Sequence, residues 1–341
     1  MNQQWNLSFA TNDDRARALI DWLATASPNK IVKLVPMIGD ASFRRYFRLY
    51  TEGDTYVVMD APPGVEDVLR FMRIANVLNA HGLEAPHIFA QDAQNGFLLL
   101  SDFGDMTYLN ALQTHAPTPL YHKALQALAV LYRCDQQSPF TLPHFTHAIM
   151  QTEWELHQRW FLQGLLGLET VDHSLQLSYD ILVENALLQP QVFMYRDFHA
   201  GNLMLLPDGK VGLLDFQDAF IGPITYDLAS LLRDCYVDWP KQQIIEWALF
   251  YYSLLHSQGV LNDISELQFL RWFDLMGIQR HLKTLMTFAR KALRDNTKHY
   301  LSFVPRTLNY IISVSQLYDE LAPLADYYED TVLPLFKRQC I

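Results

Sequence analysis

The sequence of 341 residues contains few cysteines, no long apolar run and no block of basic residues. Its three cysteines, Cys134, Cys235 and Cys340, are too far apart for a CxxC metal or redox motif and indicate free thiols in a reducing compartment. No segment approaches the roughly 18 apolar residues of a membrane helix, and the N-terminus lacks the features of a signal peptide. These absences predict a cytoplasmic protein that does not associate with membranes.

The charge balance is acidic, with 26 Lys+Arg against 37 Asp+Glu and a formal net charge of -11. This balance argues against binding to the phosphate backbone of a nucleic acid, although a local basic pocket could still accept an anionic ligand. The composition, 50% hydrophobic and 18% charged, is that of a globular protein, and the length suits two domains or lobes. Nothing in the sequence indicates an obligate protein partner.

Two regions of the sequence differ in periodicity. In residues 1–101, β-branched and aromatic runs alternate with turn signals and two amphipathic helical segments, whereas residues 102–341 favour helix almost throughout. The predicted N-terminal elements are a helix at 13–26, strands at 30–38, 43–50 and 55–59, a helix at 65–81, and strands at 88–91 and 96–100. The predicted fold class is α+β, with a small β-rich N-terminal lobe at 1–101 and a larger, mainly helical lobe at 102–341.

One segment interrupts the helical half of the chain. A short apolar strand at 192–195 leads into the polar loop RDFHAGN, and two further strands, at 203–206 and 211–214, flank a Pro-Asp-Gly turn. The sequence Asp215-Phe216-Gln217 follows directly. This pattern predicts a β-hairpin between two polar loops.

The two loops carry the residues that phosphoryl transfer requires. Such a reaction needs a carboxylate for the attacking hydroxyl and oxygen ligands for Mg²⁺. Asp197 and Asn202 are spaced as in the kinase pattern RDxxxxN, and Asp215 follows across the hairpin where the metal-binding Asp of such enzymes lies. We therefore predict that Asp197 is catalytic and that Asn202 and Asp215 bind the metal. The alternative is two turn carboxylates and a helix-capping Asn.

On these motifs the chain resembles the aminoglycoside phosphotransferase and choline kinase-like family. YRDFHAGN from Tyr195 resembles the family's HGDxHxxN catalytic loop, and LLDFQDAFIGPITYDLASLL from Leu213 resembles its metal-binding segment. The resemblance implies a bilobal protein-kinase-like fold, with ATP and Mg²⁺ as cofactors and a small-molecule acceptor. Within the family, the chain is most similar to bacterial anomeric kinases of N-acetylmuramate and N-acetylglucosamine, which act in cell-wall sugar recycling. ASFRRYFRL from Ala41, VVMDAPP from Val57, FLLLSDFGD from Phe97 and GIQRHLK from Gly277 support this likeness.

Two other functions stay open at this point. One is a nucleotide-binding pseudokinase, because the lysine that such folds carry on the third strand is absent from Val57-Val58-Met59-Asp60. The other is an aminoglycoside phosphotransferase, since an acidic protein suits a polycationic acceptor. Retention of Asp197, Asn202 and Asp215 argues against the first, because a nucleotide scaffold does not need the catalytic base.

The residues predicted to bind the nucleotide lie in the N-terminal lobe. Arg44 or Arg45 could replace the missing lysine, with a slight preference for Arg44, because neighbouring strand residues point to opposite faces. Glu66 could pair with that arginine, and Ser42 lies in a short loop that could contact phosphate. Each has a plain alternative as a solvated strand, helix or turn residue.

The predicted hinge follows the apolar strand near residue 100. In folds of this class the backbone there contacts adenine, which implicates Leu100 and Asp102 by position rather than by side chain. The alternative is a strand that simply reaches the surface.

The acceptor residues are predicted in the C-terminal lobe. Arg280 and Lys283 lie near one helix face and suit a carboxylate such as that of muramate, unless they are only a solvated basic face. Glu153 could bind sugar hydroxyls, and Trp154 could pack on a sugar ring or belong to the core. Asp227 is expected to accept hydrogen bonds from the backbone of the catalytic loop. His199 is expected to pack within that loop rather than act as a base.

Overall fold

The computed structural model describes residues 13–37, 43–134, 141–169 and 173–340. The chain divides into two compact units. The first comprises the described residues up to Thr107 together with Met204–Gln217, and the second comprises Tyr108–Leu203 and the residues from Asp218 onward. The first unit therefore includes the hairpin that carries Asp215, which the predicted boundary after residue 101 had left in the C-terminal lobe.

The first unit is built on a five-stranded antiparallel sheet with strand order β1-β2-β3-β5-β4. Its elements are α1 (Asp14–Ala26), β1 (Ile31–Pro36), β2 (Arg45–Thr51), β3 (Thr55–Asp60), α2 (Val68–Ala80), β4 (Ile88–Asp92) and β5 (Phe97–Ser101). Leu19 and Leu23 of α1 pack against Leu34, Phe47 and Leu49, all of them buried. Burial of alternate strand residues fixes the register, because a shift by one residue would turn this apolar set outward.

The remainder of the chain is mostly helical, as predicted. In chain order it contains α3 (Tyr108–Ala111), α4 (Pro117–Leu131), α5 (His147–His157), α6 (His173–Leu187), β6 (Gln191–Met194), β7 (Leu203–Leu205), β8 (Val211–Leu213), β9 (Phe220–Pro223), α7 (Tyr226–Leu232), α8 (Lys241–Ser257), α9 (Glu266–Arg294), α10 (Val304–Ser315), α11 (Ala322–Tyr327) and α12 (Leu333–Cys340). A π-helical segment, Gln158–Leu165, continues α5. No helix in the described ranges is both long and apolar enough to cross a membrane.

The predicted hairpin is confirmed as the antiparallel pair β7 and β8. Its second strand adds to the first unit, where the Leu213 N–H donates to the carbonyl of Glu84 at 2.8 Å. β6, the predicted strand before the catalytic loop, pairs antiparallel with β9, which leads into α7. The sequence did not predict this pairing. The helical segment that begins at Tyr108 divides into α3 and α4, and the second begins at Pro117, whose fixed φ suits the first helical turn.

The second unit is organised around α9, which has 29 residues. The Ser265 side chain caps its start by accepting from the Gln268 N–H, and Lys291 and Arg294 lie in its last turn, where they complement the helix dipole. The middle of α9, from Leu275 to Leu282, is almost fully buried. Polar residues on this stretch, such as Arg280, are therefore largely removed from solvent.

A buried carboxylate joins α1 to the end of β3, the central strand of the sheet in the first unit. Asp60 is 0% exposed, and its two oxygens accept hydrogen bonds from Arg15 Nε at 2.7 Å and Arg45 Nε at 2.8 Å. Arg45 also pairs with Asp13 at the start of α1. Because a buried charge must be compensated by partners, this network fixes the position of α1.

Replacing Asp60 by Asn should lower the free energy of unfolding by about 1–3 kcal/mol, since it removes the buried carboxylate that Arg15 and Arg45 share. Urea denaturation measures the change. The matched control is Glu52→Gln, which removes the carboxylate of an exposed pair with Lys30 and should cost less than about 0.5 kcal/mol. Equal effects of the two substitutions would contradict a structural role for the Asp60 network.

Candidate active site

The catalytic loop begins where β6 ends, and its backbone is held by Asp227. Arg196 has a φ of 83°, a conformation that side-chain-bearing residues rarely adopt. Asp227, in the first turn of α7, accepts hydrogen bonds from the Tyr195 N–H at 2.6 Å and the Arg196 N–H at 2.8 Å. Burial raises the pKa of Asp227 to about 7, and the two N–H donors act in the opposite direction. The expected contacts of Asp227 with the loop are therefore present.

Hydrogen bonds within the loop join Asp197 to Asn202. The Asn202 side-chain amide donates to the Asp197 carbonyl at 3.1 Å, and the Asn202 N–H donates to the His199 carbonyl at 2.9 Å. His199 accepts the Gly201 N–H at Nδ1 over 3.2 Å. This contact agrees with the predicted packing role of His199. It also shows that the five-residue spacing from Asp197 to Asn202 closes a compact turn.

Asp197 is surrounded by positive charge. Lys283 Nζ lies 3.7 Å from Asp197 Oδ1, and Lys283 and Arg280 are both largely buried. Burial acts to raise the pKa of Asp197, but the charges of Lys283, His199, Arg280 and Arg196 outweigh it and hold the pKa below its ordinary value. Asp197 is therefore ionised at neutral pH, as a residue that accepts a proton must be.

A cavity of about 90 Å³ lies beside Asp197, within the second unit. Its lining residues are Asp197, His199, Asp234, Cys235, Tyr236, Arg280, Lys283, Thr284, Thr287 and Phe288. The structure thus brings the predicted acceptor residues Arg280 and Lys283 together with Asp197. The sequence analysis missed Asp234, Tyr236, Thr284 and Thr287. The two threonines could have been found, because 280, 283, 284 and 287 follow the spacing of one helix face.

Glu153 is not among the residues that line this cavity. Its Oε2 accepts from the Gln279 side chain at 3.0 Å, and its Oε1 lies 3.5 Å from Arg196 Nη2. The idea that Trp154 packs on a sugar ring is wrong, because its side chain is 1% exposed and stacks on Tyr179 with ring centroids 4.7 Å apart. Glu153 therefore contacts Arg196 of the catalytic loop rather than the cavity, and Trp154 belongs to the core.

In the first unit, the structure distinguishes the two candidate arginines. Arg44 Nη2 lies 2.6 Å from Glu66 Oε2, and both side chains are 13% exposed. Arg45 instead turns to Asp60 and Asp13. Glu66 precedes α2 rather than lying on it as predicted, because Asp67 is the N-cap of that helix. Arg44 thus has the acidic partner that the sequence analysis suggested for either residue.

Asp215 belongs to the same unit as the Arg44–Glu66 pair. Burial raises the pKa of the nearby Tyr46 hydroxyl, and the charges of Arg44, Asp215 and Glu66 all act on it. Asp215 has a φ of 66°, and its Oδ1 accepts from the Gln217 side chain at 2.6 Å. Strained backbone of this kind concentrates at functional sites. In the described residues, only Arg196, Asp215 and Asn296 among non-glycines have positive φ, and the first two lie in the two predicted loops.

The remaining residues predicted to bind the nucleotide are Asp102, Leu100 and Ser42. The Asp102 carboxylate forms an ion pair with Arg48 and accepts from Arg48 Nη2 at 3.2 Å and from the Gly104 N–H at 2.9 Å, which anchors the segment after β5. Leu100 is 2% exposed and packs in the core. Any contact of these two residues with adenine would therefore involve their backbone. Ser42 lies outside the described residues.

The chain matches the model of the phosphotransferase enzyme family over residues 33–269. It therefore belongs to the phosphotransferase enzyme family, and the likeness inferred from its loops is confirmed. It is a small-molecule kinase.

Two relatives within this family carry the same more specific name. An N-acetylmuramate/N-acetylglucosamine kinase of Pseudomonas aeruginosa is 39% identical over 329 residues, which cover 93% of this chain and 96% of the relative. A kinase of the same name from Neisseria meningitidis is 38% identical over 314 residues, covering 90% of this chain and 92% of the relative. These two relatives match nearly the whole chain.

Solved structures confirm the predicted kinase-like fold. A choline kinase from Streptococcus pneumoniae has a TM-score of 0.58 at 13% identity and covers 87% of this chain and 99% of that chain. An ethanolamine kinase from Plasmodium vivax has a TM-score of 0.61 at 13% identity and covers 92% of this chain and 89% of that chain.

Lys283→Met should move the acidic limb of the pH–rate profile to higher pH. Activity is lost as the pH falls through the pKa of Asp197, and Lys283 helps to hold that pKa down. Removing its charge raises the pKa of Asp197, so the loss begins at a higher pH. The measurement is the pH dependence of kcat. The matched control is Lys291→Met on the same helix, where Nζ lies over the Tyr300 ring. An unchanged limb in Lys283→Met would show that this lysine does not set the ionisation of Asp197.

Proposed function

We propose that the protein transfers the γ-phosphoryl group of MgATP to the anomeric hydroxyl of N-acetylmuramate and N-acetylglucosamine, in the recycling of cell-wall sugars. The relatives named for this activity support the choice of acceptor. We further propose a cytoplasmic location, where ATP is available. The partners are the nucleotide and the sugar.

The observation that carries the proposal is the pair of buried cations beside Asp197. Arg280 is 6% exposed in a protein of net charge -11, and it lines one cavity with Lys283 and Asp197. Their acidic neighbours in the cavity are Asp197 and Asp234, and a ligand that enters the cavity can meet both cations. A carboxylate such as that of the lactyl group of N-acetylmuramate is a suitable partner, because charge-assisted hydrogen bonds to Arg and Lys are strong. The same cations disfavour a polycationic aminoglycoside as the acceptor.

Asp197 would accept the proton of the attacking hydroxyl. The anomeric oxygen then bonds to the γ-phosphorus while the bond from that phosphorus to the bridging oxygen of ADP breaks. Lys283 supports this role by keeping Asp197 ionised. The hydrogen bonds of Asp227 fix the backbone on the N-terminal side of Asp197, so the carboxylate needs little rearrangement to reach the hydroxyl.

Asn202 and Asp215 are the proposed Mg²⁺ ligands. Both offer oxygen, the donor type that Mg²⁺ prefers, and Asp215 is held in a strained backbone conformation of the kind found at functional sites. The described part of the chain has no cluster of three or more His, Cys, Asp or Glu for a metal. Mg²⁺ in kinases does not need one, since triphosphate oxygens and water complete its coordination. When bound, Mg²⁺ neutralises charge on the phosphates.

Arg44 is the proposed contact to the α- and β-phosphates, in place of the lysine of related kinases. Its guanidinium pairs with Glu66, and its charge and that of Asp215 both act on the Tyr46 hydroxyl. The five donors of arginine allow one side chain to bind Glu66 and phosphate together. The pseudokinase alternative loses its main support if Arg44 performs this function.

The acceptor is tested by ³¹P and ¹H NMR of the purified protein with MgATP and a panel of amino sugars, aminoglycosides and choline. We expect a phosphate coupled to the anomeric proton of both N-acetyl sugars. Asp197→Asn, which is nearly isosteric but cannot take a proton, should lower kcat by about 10²–10⁴ with little change in MgATP binding. The proposal fails if another hydroxyl or another acceptor class is phosphorylated, or if Asp197→Asn retains full activity.

Arg44→Ala should lower kcat/KM for MgATP by about 10–100-fold, the effect of losing strong charge-assisted hydrogen bonds to phosphate. Arg45→Ala is the matched control on the neighbouring residue. It should destabilise the fold through Asp60 and leave the KM for MgATP within about twofold of the wild type. Steady-state kinetics and urea denaturation separate the two effects, and equal kinetic losses would assign the phosphate contact to neither arginine alone.

A further inference from the structure

Asp234 is a buried carboxylate beside the acceptor cavity. It follows Arg233, the C-cap of α7, and is 2% exposed. The side chain lines the cavity that holds Asp197, Arg280 and Lys283. A buried charge in a substrate cavity is costly and calls for a structural or functional explanation.

Both oxygens of Asp234 bind the backbone. Oδ2 accepts from the Ala200 N–H at 3.2 Å, and Oδ1 accepts from the Tyr236 N–H at 2.9 Å. Ala200 lies three residues after Asp197, while Asp227 binds the two N–H groups just before it. Two carboxylates, at the start of α7 and just beyond its end, therefore hold the catalytic loop on both sides of Asp197.

Asp234 also balances the positive charge of the cavity. Among the lining residues, Asp197 and Asp234 carry negative charge and Arg280 and Lys283 carry positive charge. Burial acts to lower the pKa of Arg280, but Asp197, Asp234 and other neighbours outweigh it and keep the guanidinium charged. Removing the negative charge of Asp234 would leave Asp197 as the one carboxylate beside two cations, so the net charge of these lining residues would become more positive by one unit.

We propose that Asp234 positions the catalytic loop through the Ala200 N–H and balances the charge of Arg280, so that the cavity accepts a neutral acceptor as well as a carboxylate-bearing one. The second part rests on the proposed function. A cavity with two uncompensated cations would favour the anionic sugar strongly, whereas a balanced cavity discriminates less between the two.

The first test compares the two sugars in Asp234→Asn. This variant keeps the shape but removes the charge, and one of the two N–H donors must then face an amide NH₂. We expect kcat to fall by roughly tenfold on both sugars, and the ratio of kcat/KM for N-acetylmuramate to that for N-acetylglucosamine to rise by about 5–10-fold. Asp234→Glu, which retains the charge, should keep the ratio near that of the wild type.

Asp227→Asn is the comparison variant for the loop. It also loosens the loop but is not among the cavity-lining residues, so both sugars should lose activity and the ratio should change less than in Asp234→Asn, although the charge of Arg280 also acts on Asp227. An unchanged ratio in Asp234→Asn would overturn the charge-balancing role. Full activity in a folded Asp234→Asn variant would overturn both roles.

The second test does not depend on the sugar. Hydrogen exchange at the Ala200 amide, measured by NMR, should be at least about tenfold faster in Asp234→Asn than in the wild type, because the N–H loses its carboxylate partner. Unchanged protection would overturn the positioning role even if the ratio moves. If the wild type phosphorylates neither sugar, the proposed acceptor is wrong, and the exchange measurement still decides whether Asp234 holds the loop.

Discussion

The geometry of the catalytic loop depends on the hydrogen bonds from the Tyr195 and Arg196 N–H groups to Asp227. A non-glycine residue with positive φ costs of order 1–3 kcal/mol, and Arg196 is such a residue. An ordinary hydrogen bond contributes about 0.5–1.5 kcal/mol, so two of them are of the same order as this cost. The strained turn exists because Asp227 is there, and it sets the direction in which Asp197 leaves the backbone.

The charges around the catalytic loop also determine the ionisation of Asp197. Burial acts to neutralise a carboxylate, yet the proposed role of Asp197 as proton acceptor needs the ionised form. The buried middle of α9 supplies Arg280 and Lys283, and these cations are in turn stabilised by acidic neighbours. The buried stretch of α9 before Lys283 fixes the backbone from which both side chains extend into the cavity. The rigidity of the helix thus supports the ionisation state of the loop.

Features carried by local sequence could be predicted, and features that join distant segments could not. The hairpin, the spacing of Asp197 and Asn202, and the strands of the first unit follow from short patterns and are present. Asp234 could not be found, because its loop partner Ala200 lies 34 residues away in the chain.

The choice between Arg44 and Arg45 and the burial of Trp154 also depend on contacts between distant segments. Strand alternation indicated that Arg44 and Arg45 point apart but could not say which meets Glu66, since that depends on where Asp60 and Asp13 lie. The stacking of Trp154 on Tyr179, which makes it a core residue, joins α5 to α6 and leaves no local signal.

The absence of lysine from β3 has a structural explanation that does not require loss of phosphate binding. Val58 and Met59 are fully buried, and Asp60 is committed to Arg15 and Arg45, so these β3 positions serve the core and the α1 contact. β2 is the antiparallel neighbour of β3, and its first residue, Arg45, pairs with Asp60, the last residue of β3. Arg44 directly precedes β2, next to that end of β3, and its long side chain reaches Glu66. Arg44, just before the adjacent strand, is therefore a candidate for the phosphate contact that a β3 lysine makes in related kinases. An arginine can also bind two anionic groups at once.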